Sequence, residues 1–434
     1  MNIAFFTDTY HPYVSGVANS IDLFKDELEK QGHQVFIFAP LLKDENGNIP
    51  KDGPRIYRIE SLKQDVFSEF TLTLPNLPPI FHDFYKFKID VVHSHTPFYM
   101  GMYASIVALF YNIPVVHTYH TLYEKYTGHS LFKNWYSMDK AVMSLAKDIS
   151  VFYSQRCDAL ISPSEKVKKM LQDYGVKNDI SVIQTGIELD KFNNVDKNYL
   201  RSRFKIPADK KIIMYLGRVA QPKNPMFFVK MFEKVVKEDD NCILAIIGSG
   251  PSLEDLKKEF EKKNLQDRVI FGGFANRDEV PKCFADAEIF VFASKTDTQS
   301  LVLLEAAASG LPIVMLKDEG LTSVVKDSEN GYEISNDDSK LYSQKVLELL
   351  RNSDLRAKMS TKSVEFAKQF SIQNQTQKLL NLYLETIKFH DKSSWRKRLY
   401  RGLNKEINLK DFFMEDGKFK IVQKLKKLRD KIKS

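Results

Sequence analysis

The chain has 434 residues, long enough for two domains with full cores, and its 43% hydrophobic and 28% charged residues are those of an ordinary soluble protein. Cys157, Cys242 and Cys283 are odd in number and widely spaced, which excludes a disulfide framework and points to a reducing cytosol; the longest apolar stretch, near Met102 to Phe110, is too short to span a bilayer, and with Asp8 interrupting the first apolar run no secretory leader is expected. The net charge of +8 belongs to residues 391–434, where 15 Lys and Arg stand against 6 Asp and Glu; the first 390 residues carry 49 against 50, so a nucleic-acid surface on the body is not expected.

Short apolar runs recur from the start: Ile3–Phe6, Val35–Phe38, Val91–Val92, Val115–Val116, Leu160–Ile161 and Val182–Ile183 read as buried strands, with helices such as Ile21–Gln31 and Lys166–Tyr174 between them. The polar stretch Glu188 to Lys211 reads as a connector. The alternation then resumes with Ile212–Leu216, Ile243–Ile247, Val269–Phe271, Ile289–Phe292 and Ile313–Met315, and Lys362 to His390 reads as one or two helices. Strands alternating with helices predict two parallel sheets covered on both faces, whose ligands bind at the C-terminal strand ends.

The polar motifs fall at those ends. Gly16 lies in the first strand–helix turn, where glycine lets a backbone approach a ligand. Gly217 and Arg218 follow the strand Ile212–Leu216, with Lys223 before a helix starting near Pro225; Gly248 follows Ile243–Ile247. Such cations suit a diphosphate, or they are a solvated basic loop. Thr296 to Pro312 (TDTQSLVLLEAAASGLP) is a loop feeding a helix that stops at Gly310-Leu-Pro312, with Asp297 at the helix N-terminus and Glu305 about two turns inside. Five of nine histidines lie between His93 and His129; His93-Ser-His95 and His117-Thr-Tyr-His120 have the spacing of metal ligands, yet no cysteine is near to complete a zinc set, and no metal is expected.

Taken in this order and spacing, these motifs resemble the retaining glycosyltransferases of family 4 from Met1 to roughly His390. VVHSHTP (Val91 to Pro97) and PVVHTYHTLYEKY (Pro114 to Tyr126) look most like the bacterial 1,2-diacylglycerol 3-alpha-glucosyltransferases. The resemblance implies a GT-B fold of class α/β, with two Rossmann-like doubly wound domains facing a cleft. It divides the chain into an acceptor-side domain over 1–195, a nucleotide-sugar domain over 196–365, a helix crossing back over 366–390 and a basic tail over 391–434. It implies that Gly16, Gly217, Arg218, Lys223, Gly248, Asp297, Ser300, Leu301 and Glu305 bind the donor. Of these, Arg218 and Lys223 meet the diphosphate, Asp297 the sugar and Glu305 the ribose, with His120 beside the reacting sugar. Asp297 stands where Glu is usual, Ser300 where Gly is common, and Pro222 where a Glu often precedes the Lys.

The expected reaction is glucosyl transfer from UDP-glucose to diacylglycerol at the cytoplasmic face of a membrane. It needs no cofactor beyond the nucleotide sugar, with Mg2+ at most an activator. Another donor (UDP-galactose, GDP-mannose), another acceptor (a glycolipid or polysaccharide) and a non-catalytic partner subunit remain alternatives. In the tail, Trp395, Arg396, Lys397 and Arg398 precede Ile421, Leu425, Leu428 and Ile432 at helical spacing among cations, the pattern of a basic amphipathic helix on an anionic membrane. A disordered tail, or a helix docked on protein, would carry the same pattern.

Overall fold

The computed structural model describes the chain apart from residues 13–14, 42–51, 60, 63–71, 74–83, 121–146, 194, 295–296, 319–323, 336–337, 391–413, 416–417 and 420–434. A seven-stranded parallel sheet has the order Ile56–Ile59, Gln34–Pro40, Asn2–Phe6, Val91–Ser94, Val115–Thr118, Ala159–Ser162, Ile180–Val182. A six-stranded parallel sheet follows in the order Val269–Gly273, Cys242–Ile247, Lys211–Leu216, Ile289–Phe292, Ile313–Leu316, Gly331–Ile334. Helices cover both faces, so the central strands are apolar without alternation: Ile3 to Phe6, Cys242 to Ile247 and Ile289 to Phe292 are buried throughout. Strand order reverses between Asn2–Phe6 and Val91–Ser94 in the first sheet and between Lys211–Leu216 and Ile289–Phe292 in the second. Each reversal leaves a crevice at the C-terminal strand ends.

Several expected elements differ in extent. The first helix is Gly16–Lys30, starting five residues before Ile21 because Ser15 caps it, its side chain accepting from Ala18 N. The expected connector contains a 3-10 turn, Leu189–Phe192, and a helix, Tyr199–Phe204, whose Leu200 is buried in the second core. The helix of the acidic motif is only Leu301–Ala308, so Glu305 lies about one turn inside it, not two. Gly331–Ile334 was not expected; as an edge strand it has an apolar run too short to stand out. In the tail, Lys418–Phe419 pairs antiparallel with Met414–Glu415. Trp395, Arg396, Lys397, Arg398, Ile421, Leu425, Leu428 and Ile432 lie outside the described residues.

After helix Ser353–Lys368 the chain returns to the first domain. Helix Ile372–Phe389, capped by Ser371, packs Ile372, Leu379, Leu380 and Tyr383 against Ile3, Phe5, Ile21, Phe24 and Leu28. The outgoing and returning strands touch where they cross. Ile187 N donates to Phe370 O and Ile372 N to Ile187 O, both at 2.9 Å, and a Cβ on Gly186 would stand 2.5 Å from the Ile372 Cα. On the opposite face of the first sheet, helix Tyr99–Tyr111 carries no charged residue. It buries Met100, Tyr103, Ala104 and Val107 and exposes Tyr99, Met102, Ile106, Leu109 and Phe110, the last at 70%.

Candidate active site

On the second-domain side, the loop after Lys211–Leu216 is held by backbone packed on backbone. Gly248 has φ +140°, and a Cβ there would stand 1.9 Å from Gly217 O; Gly217 itself has φ +150°. Val219 N donates to Ser249 O at 2.9 Å, locking the two loops together. Both glycines are thus required by the fold of the loops, whatever they also contribute to a ligand. Arg218 projects from this turn and is exposed, its carbonyl accepting from the buried Tyr215 hydroxyl at 3.0 Å.

Lys223 stands at the end of a short 3-10 turn, Gln221–Lys223, and its ammonium donates to Asp297 Oδ1. The lysine expected to meet the diphosphate is thus paired with the acid expected to meet the sugar. The second oxygen, Asp297 Oδ2, is buried without a partner among the described residues. A buried carboxylate oxygen left unsatisfied calls for a donor. Ser300 is buried at the N-cap position without a side-chain cap bond, and Leu301 opens the helix half-buried. One turn on, burial pushes the Glu305 carboxyl up to about 7, against the opposing pull of Arg277.

On the first-domain side, no atom of the described residues stands within 4 Å of where a Cβ on Gly16 would point, so their packing does not demand glycine at this helix start. Asp8 ties the loop after the first strand to the start of helix Tyr99–Tyr111: its Oδ1 accepts from Met100 N at 3.0 Å and its Oδ2 from Thr96 Oγ1 at 2.5 Å, while burial raises it to about 6. His120 follows the strand Val115–Thr118. Its Nε2 lies 3.0 Å from His95 Nδ1, and burial lowers its pKa to about 4. The other histidines are engaged with hydroxyls: His93 with Tyr383 and Thr118, His117 with Ser94. Among the described residues, no group of three or more His, Cys, Asp or Glu could hold a metal ion.

The two sides meet across the crevice. Thr298 Oγ1 donates to His120 O at 3.0 Å, which sets His120 against the loop carrying Asp297. Gln299 clasps Thr185 twice, accepting from its N and donating to its O, both at 2.8 Å. Lys166 pairs with Asp318, and Arg277 lies 3.8 Å from Asp22, which also accepts from Tyr10 and holds His11. Thr298 and Gln299 were passed over although they flank Asp297; short polar side chains in a loop at a strand end were the available signal. The Asp22–Arg277 approach joins residues 255 positions apart and had no local signal.

Two doubly wound sheets whose strand ends face one another across a crevice are the arrangement of the GT-B fold. Residues 14–191 match the family described as Glycosyltransferase Family 4 and residues 196–366 that described as Glycosyl transferases group 1. The chain belongs to glycosyltransferase family 4. It is 36% identical over 336 residues to an alpha-monoglucosyldiacylglycerol synthase of Streptococcus pneumoniae, covering 76% of this chain and 74% of that one. It is 28% identical over 400 residues to the alpha-monoglucosyldiacylglycerol synthase of Acholeplasma laidlawii, covering 90% and 99%. In fold it is similar to Anabaena HepE in complex with UDP, with a TM-score of 0.69 at 15% identity over 89% of this chain and 100% of that one. It is also similar to a sucrose-phosphate synthase from Thermosynechococcus elongatus, with a TM-score of 0.69 at 18% identity over 88% and 98%.

Proposed function

We propose that the protein transfers glucose from UDP-glucose to the 3-hydroxyl of 1,2-diacylglycerol at an anionic membrane surface, giving alpha-monoglucosyldiacylglycerol. The observation that carries this reading is the Lys223–Asp297 pair, whose loop bonds His120 across the crevice through Thr298, with Arg218 exposed on the turn after the adjacent strand. Arg218 and Lys223 are suited to neutralise the charge that develops on a departing diphosphate, and Asp297 Oδ2 to accept from a sugar hydroxyl. Glu305 is suited to the ribose. The bond from C1 to the phosphate oxygen breaks, the glycerol oxygen bonds to C1 on the same face, and the glycerol proton passes to the departing β-phosphate. No side-chain nucleophile is required, only positioning and charge stabilisation. The names of the similar synthases of S. pneumoniae and A. laidlawii support a glucosyl group and a diacylglycerol acceptor.

Purified protein incubated with UDP-glucose, UDP-galactose or GDP-mannose and diacylglycerol vesicles tests the reading, with product mass and anomeric configuration as readouts. An α-glucosyl lipid from UDP-glucose is expected. Product only from another nucleotide sugar, or none from any of the three, would sink it. The Asp in place of the usual Glu at Asp297 is what keeps another hexose as the second reading.

Asp297→Asn should cost turnover roughly 100-fold, because it removes the charged acceptor, while Asp297→Glu should cost less than roughly 10-fold. Equal mild effects from both would place Asp297 outside the sugar site.

A lipid acceptor is also favoured by the uncharged helix Tyr99–Tyr111, which offers Met102, Ile106 and Phe110 to an acyl layer. Truncation after His390 should remove a salt-sensitive attraction of about 1 kcal/mol per surface cation. Ile106→Asp with Phe110→Asp should weaken a remainder that salt does not screen. Vesicle co-sedimentation across an ionic-strength series separates the two; binding by the truncated chain that matches the full chain at low salt would rule out the tail as anchor.

A further inference from the structure

His120 is the first ring of a row that runs from the crevice into the first domain. It stacks on His95 with ring centroids 5.2 Å apart and planes 22° apart, and His95 stacks on His93 at 4.2 Å and 29°. Phe5 sets its edge against both inner rings, at 5.4 and 4.7 Å. The row ends on Tyr383 of the returning helix, whose hydroxyl lies 2.5 Å from His93 Nδ1, while His93 Nε2 lies 2.7 Å from Thr118 Oγ1. His93, His95 and Tyr383 are almost wholly buried.

Burial holds all three imidazoles below their usual pKa, so at neutral pH each carries one N–H and one lone pair. His95 Nδ1 and His120 Nε2 therefore share one proton between them. His95 Nε2 is buried with no partner among the described residues. An orphaned buried N–H is rarer and dearer than an orphaned lone pair. The His95 proton accordingly sits on Nδ1 and is donated to His120 Nε2. Neutral His120 then carries its own proton on Nδ1, which has no protein partner among the described residues.

We propose that Tyr383 is a positioning residue for sugar transfer: through His93 and His95 it holds His120 with its Nδ1–H presented to the crevice, as a donor to an oxygen of the bound sugar. The proposal rests on the placement of His120 beside the reacting sugar and takes it further. His120 is a hydrogen-bond donor there and does not take the acceptor's proton. Tyr383 fixes the far end of the row from the helix that crosses between the domains, so the ring at the crevice is registered to that helix.

Full-length protein labelled with [15N]histidine gives the tautomer directly from two-bond nitrogen–proton correlations, with the His120 signals assigned by their loss in His120→Asn. The Nδ1–H form is expected; the Nε2–H form in the unsubstituted protein overturns the proposal and needs no variant to fold. Tyr383→Phe, which removes one hydroxyl, should let the stacked row shift and lower kcat with UDP-glucose and diacylglycerol vesicles about tenfold, the factor for one hydrogen bond, with the donor KM changed less than about twofold. In a His120→Ala background the same substitution should cost nothing more. An equal loss in that background, or an unchanged kcat, overturns the positioning role. Unaltered transfer by His120→Ala would instead strike the placement of His120 itself, and the tautomer measurement still decides what the row does.

Discussion

Arg218→Ala and Lys223→Ala are both expected to cost roughly 2–4 kcal/mol of transition-state stabilisation, a loss of roughly 30- to 1,000-fold in kcat. They should part company in stability. Arg218 is exposed, so its removal should leave the unfolding transition in place. Lys223 is paired with Asp297, whose side chain is only 10% exposed, and removing the ammonium strands a buried carboxylate. Breaking such a pair from one side typically costs a few kcal/mol, on the order of 3. Lys223→Ala should therefore melt several degrees lower than Arg218→Ala, and Lys223→Ala with Asp297→Asn should recover much of that difference without recovering turnover. Thermal unfolding beside steady-state kinetics checks both halves. Near-native turnover in either single variant would remove that cation from the diphosphate site.

Acidification should unfold the protein steeply below pH 6.5. Burial depresses His93, His95, His117 and His120, so each is neutral when folded and takes up a proton on unfolding anywhere between its folded pKa and 6.5. For a depressed histidine that stability is complete above 6.5 and is lost as pH falls. Two buried carboxyls oppose them. Glu305, raised to about 7, and Asp8, raised to about 6, hold protons in the folded state that the unfolded chain gives up, so each favours folding more as pH falls toward its ordinary value. Below pH 6 the balance is a net uptake of about two protons on unfolding, or about 3 kcal/mol lost per pH unit, against a total stability on the order of 5–15 kcal/mol. Glu305→Gln should raise stability above pH 7 and steepen the acid limb by one proton. A melting temperature flat between pH 6.5 and 5 would show that the histidine row is open to solvent.

The architecture was readable because both sheets are buried on both faces, which writes their central strands as unbroken apolar runs. The polar motifs at the crevice were readable for a related reason. A crevice at parallel strand ends puts its polar residues directly after such runs, so Arg218, Asp297 and Glu305 stand out against what precedes them. Pairing was not readable. Nothing in a loop at 223 and another at 297 announces that the lysine spends its charge on the aspartate. Tyr383 carried a faint signal, since a tyrosine on the buried stripe of an amphipathic helix must find a partner for its hydroxyl. Its partner, however, lies 290 residues earlier. The short edge strand Gly331–Ile334 and the early start of the first helix escaped because each depends on a neighbour or a cap, not on periodicity.

The two places where the backbone passes between domains lie side by side at Ile187 and Ser371, joined by hydrogen bonds in both directions. Two parallel ropes tied together have one soft direction: they twist about their common line and resist sliding or shearing. A rotation of one domain on the other would have its pivot at that seam, and the swing at any point would grow with distance from it. Thr185, two residues from Ile187, and its partner Gln299 would travel little. Gly186 is the bearing surface. A side chain there would strike the backbone of Ile372 and jam the pivot, even though it touches no substrate and lies in neither sheet.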